Sequence, residues 1–410
     1  MANNQDAGRR VASSHDENDE APVSWIEVLR CAFPACGGFL FGYDSGYING
    51  CLGMDYFKYA YGEPSNDPLG FMGHMYPTWS KSVIVSLLSV GTFLGALTSG
   101  FSSDYFGRRN TILIGCAIYC VGVVLQVAHP SIGLLAAGRT VAGLGIGFVS
   151  ANIVAFQTEI CPKRIRGPCI SMYQFGITIG LLIASGVNQG TKRYQEQCFF
   201  PDSHWFAIYL CSCPGLGLDD DASRISKVEE MAAANGGWID CFTGGFHFGS
   251  NLFRTFIGTT VQMMQQLTGV NFIFYYGTTY FAQVGLSGVF LLATITNLVN
   301  VVSTPVSFWT IERFGRRPLL IYGGAFMAVC EFIIAIVGTV LSTDKTAQVV
   351  LFVFVCLHIV GFASTWGPTG WAVSGEMFPL AIRGRGIALS TASNWFLEFH
   401  HRFCDPILGG

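Results

Sequence analysis

Long apolar runs dominate the chain, and polar residues gather in the stretches between them. Crossing a hydrocarbon layer as a helix takes roughly 20 apolar residues. Runs meeting that need fall at 28–54, 82–103, 110–128, 132–158, 168–188, 253–284, 288–311, 318–342 and 347–373. Backbone groups in lipid must bond within their own segment, so these runs predict helices. The apolar-polar alternation of a barrel strand is not seen. Two connections are long: 55–80, which is polar and contains Pro and Gly, and 189–252. Inside the second, Trp205 to Leu218 is the one stretch available for a sixth span, and it is short and holds Pro214. A last span starts near Ile387, where Glu398, His400, His401, Arg402 and Asp405 are expected to cut it short.

The expected fold is an all-α integral membrane protein of about 10–11 spans, in two related helix bundles. Residues 1–24 form a polar tail, 25–218 the first bundle, 219–252 a short linker and 253–410 the second bundle, read as incomplete. The tail has no apolar core of a cleaved signal, so the first span directs insertion. Basic residues sit on alternate loops, at Arg108 and Arg109, Lys163 to Arg166, Arg313 to Arg317, and Arg383 and Arg385. The positive-inside rule puts those loops, and the N-terminus, in the cytoplasm.

Two halves are expected because the chain repeats itself about half its length apart. Glu159-Ile-Cys-Pro-Lys-Arg-Ile-Arg-Gly167 returns as Glu376-Met-Phe-Pro-Leu-Ala-Ile-Arg-Gly384. Before each copy stands an acid followed by Gly-Arg-Arg, at Asp104 to Arg109 and at Glu312 to Arg317. Internal repeats on this scale mark many transporters. Arg109 is positioned to reach Glu159, and Arg317 to reach Glu376, as cytoplasmic latches in which Asp104, Arg166, Glu312 and Arg383 share. The plainer alternative is topogenic charge alone. Phe308 stands where Gly100 does, so the second copy should pack less closely.

Composition narrows the function classes. Only 12% of the 410 residues are charged, against ~25% in an average soluble domain. The net charge of −3 includes no basic block suited to nucleic acid. The 14 cysteines are scattered, mostly in apolar runs, and read as small buried hydrophobes. No nucleotide-binding loop, metal cluster or nucleophile set stands at convincing spacing, so neither an enzyme nor a cofactor is expected.

What remains is chemistry inside the spans. Asp44 lies mid-span, where a charge must face a cavity or a partner, and Arg139 in the fourth span is that partner. Burial and the guanidinium push its protonation in opposite directions, as a proton carrier requires; a static ion pair is the alternative. The amides Gln174, Gln265, Gln266, Asn271, Asn300 and Asn394 also lie in spans. Amides donate and accept without charge, as sugar hydroxyls do, though helix–helix hydrogen bonds use the same groups. Trp371 and Trp395 offer flat apolar faces and an N–H each. Phe41, Tyr275 and Tyr276 suit gating aromatics or plain packing, and Gly367-Pro-Thr-Gly370 breaks the tenth span. Glu331 has no evident partner, and His358 reads as a core residue.

Taken in order, Gly38-Phe-Leu-Phe-Gly-Tyr-Asp-Ser-Gly46, Gly107-Arg-Arg109, Glu159 to Gly167, Gln265-Gln-Leu-Thr-Gly-Val-Asn271, Gly315-Arg-Arg317 and Trp371 to Gly384 name a family. The chain resembles the sugar porters of the major facilitator superfamily, most nearly fungal hexose–proton symporters, over about 25–190 and 250–397. The resemblance implies twelve helices and a central sugar site built largely from the second half. It also implies that Asp44 carries the proton where facilitators hold a neutral residue. The chain departs from the pattern at the sixth helix and its linker, and at the twelfth helix. The expected activity is alternating-access transport of a monosaccharide such as glucose, by a monomer in the plasma membrane, with protons as the coupling ion. A non-transporting sugar receptor and a non-functional truncated transporter are the other readings.

Overall fold

The computed structural model describes residues 31–54, 77–128, 131–162, 165–191, 237–283, 288–340 and 345–408, with residue 28 and short pieces between 57 and 75. The expected sixth span at Trp205 to Leu218, the tail 1–24 and most of the linker lie outside the described residues.

The first half holds α1 (Cys36–Gly53), α2 (Thr78–Ala128), α3 (Ile132–Ile160) and α4 (Arg166–Thr191). A two-residue antiparallel pair, Glu63–Pro64 with His74–Met75, lies between α1 and α2. The second half holds α5 (Asn251–Gln266), α6 (Val270–Gln283), α7 (Val289–Ser303), α8 (Val306–Phe314), α9 (Arg316–Val340), α10 (Lys345–Ser364), α11 (Trp366–Met377) and α12 (Arg383–Leu408). The repeat is visible in the backbone. Gly107 breaks α2 at φ 78°, ψ 164°, and Gly315 separates α8 from α9 at φ 80°, ψ 168°. Positive φ is a conformation glycine adopts at no steric cost.

Small residues let the helices of the first half lie against one another. Gly38, Gly42, Gly46 and Gly50 recur every fourth position, forming one stripe along α1. A methyl at Gly42 would stand 2.0 Å from the Ile177 carbonyl oxygen, and one at Gly38 would stand 2.4 Å from that of Tyr173. The backbones of α1 and α4 therefore meet directly, as small-residue stripes permit in membranes. The same device joins α2 to α3, where a methyl at Gly91 or Gly95 would strike the Thr140 or Leu144 carbonyl.

Among the described residues, five helices are long and apolar enough to cross a membrane, or six if α7 and α8, bent by 43°, form one span. The sequence runs at 253–284 and 347–373 are each interrupted. The first breaks after Gln266, near Gly269, and the second at Thr365. The tenth-span break therefore precedes Pro368, which sits in the first turn of α11, where a missing N–H costs least. Thr310 Oγ1 donates to the Ser364 carbonyl, the one that Pro368 leaves without a helical donor (3.4 Å). α12 corrects another expectation. It runs on through Glu398, His400, His401 and Arg402 to Leu408, because its two buried charges are paired inside the protein. Large apolar side chains such as Phe332, Ile336 and Val340 face outward from α9, as a lipid-exposed helix requires.

Candidate functional site

Between the halves lies a cavity with about 550 Å³ of atom-free space, part of it open to solvent. All eight residues expected to meet substrate line it: Gln174 from α4, Gln265 and Gln266 from α5, Asn271 from α6, Asn300 from α7, Trp371 from α11, and Asn394 and Trp395 from α12. Phe41 lines it too, edge-on to Trp395 at 4.7 Å between ring centroids. Tyr275 and Tyr276 fall on α6, but their side chains are outside the described residues.

The amides order one another. Asn394 Nδ2 donates to Gln262 Oε1 (2.7 Å) and Gln265 Oε1 (2.8 Å), and Gln266 Nε2 donates to Asn394 Oδ1 (2.6 Å). Asn271 Nδ2 donates to Gln266 Oε1. Gln265 Nε2 donates to the Trp366 and Gly367 carbonyls at the start of α11, and Gly370 leaves room for its amide. Across the halves, Trp371 Nε1 donates to Gln174 Oε1 (3.1 Å). Gln262, fully buried, anchors the network to α11 through the Gly370 carbonyl and Ser374. Two lining groups stand apart. Both amide atoms of Asn300 and the indole N–H of Trp395 are buried without a hydrogen-bond partner among the described residues. Leaving such groups unpaired costs about 1–3 kcal/mol each. The cavity therefore presents donors and an acceptor to whatever enters it.

Asp44 and Arg139 are brought together, both fully buried, with Arg139 Nη2 3.6 Å from Asp44 Oδ2. At that distance the pair is ionic but not hydrogen-bonded, and neither Asp44 oxygen has a hydrogen-bond partner among the described residues. Arg139 Nη1 donates instead to the Tyr47 hydroxyl (3.4 Å), which donates to Gln126 Oε1 (2.6 Å).

The latches form with a change of register. Arg108, not Arg109, pairs with Glu159 at 3.1 Å, and Arg316, not Arg317, pairs with Glu376 at 2.7 Å. Each glycine's positive φ ends one helix and starts the next, so the residue just after it faces inward while its neighbour, turned by ~100°, faces away. Each latch also leans on the other half. Arg108 lies over Gly384 and Arg316 over Gly167, with guanidinium nitrogens where a methyl would stand 2.6 Å and 2.8 Å away. Glu312 joins Arg316 at 3.6 Å. Asp104 pairs across the halves with Arg385 (2.7 Å), while Arg166 and Arg383 bond backbone carbonyls of Cys161 and Phe378. Gly100 packs on Trp238 and Ala388, and its counterpart Phe308 packs on Phe175, so the bulkier copy also meets the opposite half.

Sequence reasoning missed several residues. Ser45 and Glu398 line the cavity, and Glu398 pairs with Arg402 at 2.6 Å. Their four-residue spacing on a helix was the available signal. Glu331 Oε1 lies 3.9 Å from His358 Nε2, a neighbour beyond hydrogen-bond distance. The cysteines are not all scattered, since the thiols of Cys31, Cys161 and Cys169 lie within 4.8 Å of one another.

The family model for sugar (and other) transporters matches residues 30–218 and 217–410. The chain belongs to the sugar porter family of the major facilitator superfamily. Among curated relatives, this sugar porter is 35% identical to the major facilitator-type transporter ecdD of Aspergillus rugulosus, over 95% of the chain and 79% of the relative. It is 37% identical to the probable glucose transporter rco-3 of Neurospora crassa, over 93% and 70%. It is 36% identical to the high glucose sensor RGT2 of Saccharomyces cerevisiae, over 93% of the chain and 54% of that protein. The fold matches the proton:xylose symporter XylE bound to 6-bromo-6-deoxy-D-glucose, with TM-score 0.75, 20% identity, and 93% and 88% of the two chains covered.

Proposed function

We propose that this sugar porter moves a hexose, most nearly glucose, by alternating access, with Asp44 carrying the coupled proton. The observation that carries the reading is the cavity between the halves. It gathers two indoles and six side-chain amides, and Asn300 and Trp395 hold polar groups with no hydrogen-bond partner among the described residues. Ring hydroxyls donate and accept in the same neutral fashion, and the indoles supply apolar faces for the ring. Asp44 lies one helical turn from Phe41 and next to Ser45, both cavity-lining, so proton and sugar would occupy neighbouring positions. One proton crossing 100 mV supplies roughly 2.3 kcal/mol, between one and two decades of solute gradient.

The latches and the Asp104–Arg385 pair then hold the face bearing the repeated motifs closed, and that face is cytoplasmic by the positive-inside rule. Plasma-membrane location, a cytoplasmic N-terminus and a monomeric working unit belong to the same reading. A second reading, sugar sensing without translocation, has one observation in its favour, the 36% identity to a protein named a high glucose sensor. Radiolabelled glucose uptake in cells lacking their own hexose carriers separates the two. Accumulation above the external concentration supports transport. Signalling on glucose with no uptake supports the sensor.

A further inference from the structure

Three cysteines from separate elements meet at the motif-bearing face of the first half. Cys31 precedes α1, Cys161 caps the end of α3, and Cys169 lies in the first turn of α4. All three are buried free thiols, and their sulfur atoms lie within 4.8 Å of one another. Among the described residues, no other group of three or more His, Cys, Asp or Glu side chains brings donor atoms together in this way. The sequence does not announce the trio, because Cys31 stands more than a hundred positions before Cys161.

One side chain sets the spacing. Gln157 Nε2 donates to the carbonyls of Cys31 and Cys169, at 3.0 Å each, and the Gln157 carbonyl accepts from the Cys161 N–H at 3.0 Å. Arg166 Nη2 donates to the Cys161 carbonyl at 3.2 Å, which puts a positive charge beside the trio. Ile160 and Ile165 pack on the outside. Two polar atoms of this frame, Gln157 Oε1 and Arg166 Nε, are buried without a hydrogen-bond partner among the described residues. Thiols that only filled space would need no such frame.

We propose that Cys31, Cys161 and Cys169 form a trithiolate site for a thiophilic d10 cation, Zn²⁺ or Cu⁺, which staples the start of α1 to the α3–α4 turn. Soft thiolate ligands select these ions. Zn–S bonds of ~2.3 Å set tetrahedral sulfur atoms ~3.8 Å apart, so the trio needs to close by about an ångström. Each metal–sulfur bond forms as an S–H proton leaves to water, so an ion enters as three protons depart. The guanidinium of Arg166 offsets the negative charge that results. Gln157 Oε1 belongs to the side chain that bridges the trio and can serve Zn²⁺ as a fourth ligand, whereas Cu⁺ needs none. The positive-inside rule puts this face in the cytoplasm, where thiols stay reduced and able to ligate. Cys161 follows the latch acid Glu159 by two residues, so a bound ion fixes the turn of chain from which Glu159 reaches Arg108. The site is independent of which solute is carried.

The test uses the full chain in detergent, reduced with a phosphine and stripped of metal. It is titrated with Zn²⁺ alone, and separately with Cu⁺ alone, against a chromophoric chelator of each ion. One tightly held ion per chain is expected, with an unfolding midpoint raised by a few degrees on loading. Cys161→Ser and Cys169→Ser are each expected to weaken binding at least about a hundredfold, since losing even an outer partner of a metal ligand costs about 10–100-fold. Cys330→Ser, which removes a buried thiol outside the trio, should bind like the unaltered protein. Binding of one ion and not the other assigns the site to that ion. Failure of the unaltered chain to hold either ion overturns the site without reference to any variant. So does an affinity that Cys161→Ser and Cys169→Ser leave unchanged.

Discussion

Single residues in this protein divide by whether their polar atoms are already spent. Gln262 spends its amide on the Gly370 carbonyl, Ser374 and Asn394, and is fully buried. Asn300 spends none of its amide among the described residues. The two should respond oppositely to truncation. Gln262→Ala strands its partners and is expected to lower stability by about 1–3 kcal/mol. Asn300→Ala removes an unpaired buried amide, so stability is expected to hold or rise while the KM for glucose increases roughly tenfold, the loss of one good hydrogen bond to substrate. Thermal unfolding in detergent read beside uptake kinetics checks both. The amides were legible in the sequence because a side-chain amide in a membrane span must answer to something. Which amide anchors and which one waits was not legible, since that depends on neighbours more than a hundred positions away. Glu398 and Arg402 were misread for a related reason. Two charges late in a span look like its end until the structure shows them neutralising each other in the interior.

At the scale of elements, the helices that read least like membrane spans are those that build the site. α1, α5, α6 and α12 carry Asp44, four of the six cavity amides and the Glu398–Arg402 pair, and none of them is among the five long apolar helices, which supply Gln174 and Trp371. Their polarity is the cost of lining a cavity, and close backbone packing offsets it. The glycine stripe on α1 is the clearest case. Gly42→Val would drive a side chain into the Ile177 carbonyl, part α1 from α4 and displace Asp44. A loss of about 1–3 kcal/mol is expected from overpacking, with a lower melting temperature and reduced uptake together. The latches show what a repeat conveys and what it leaves open. The acid, the glycine and the paired arginines were plain in both copies. Which arginine turns inward was decided by a backbone angle at Gly107 and Gly315 that residue identity alone does not fix. Arg316→Ala is therefore expected to slow transport several-fold by releasing Glu376, whereas exposed Arg317→Ala should leave the rate near wild type. Initial uptake rates of the two variants decide the register.

On the scale of the whole molecule, two pseudo-symmetric halves meet at polar contacts on both sides of the cavity. Toward the motif face, Asp104 pairs with Arg385, and Arg108 and Arg316 each lie over a glycine of the opposite half. Toward the other face, Asn49 donates to the Phe274 carbonyl at 2.7 Å, Asn297 to Ser185 at 2.5 Å, and Arg402 holds α1 and α2. On the alternating-access reading proposed above, rocking breaks one set while keeping the other, and such contacts are individually weak enough to exchange. The two-half plan was legible from the repeat, but the contacts that cross between halves were not, because they join residues with no shared motif. The central claim is that Asp44 couples a proton to a sugar held between these halves, and Asp44→Asn tests it most directly. Glucose accumulation and downhill exchange are measured in the same carrier-deficient cells at an external pH of about 5, where an inward pH gradient adds to the ~2.3 kcal/mol per 100 mV that the membrane potential supplies. The account predicts that Asp44→Asn still equilibrates glucose but no longer concentrates it. Accumulation equal to that of the unaltered protein would contradict it.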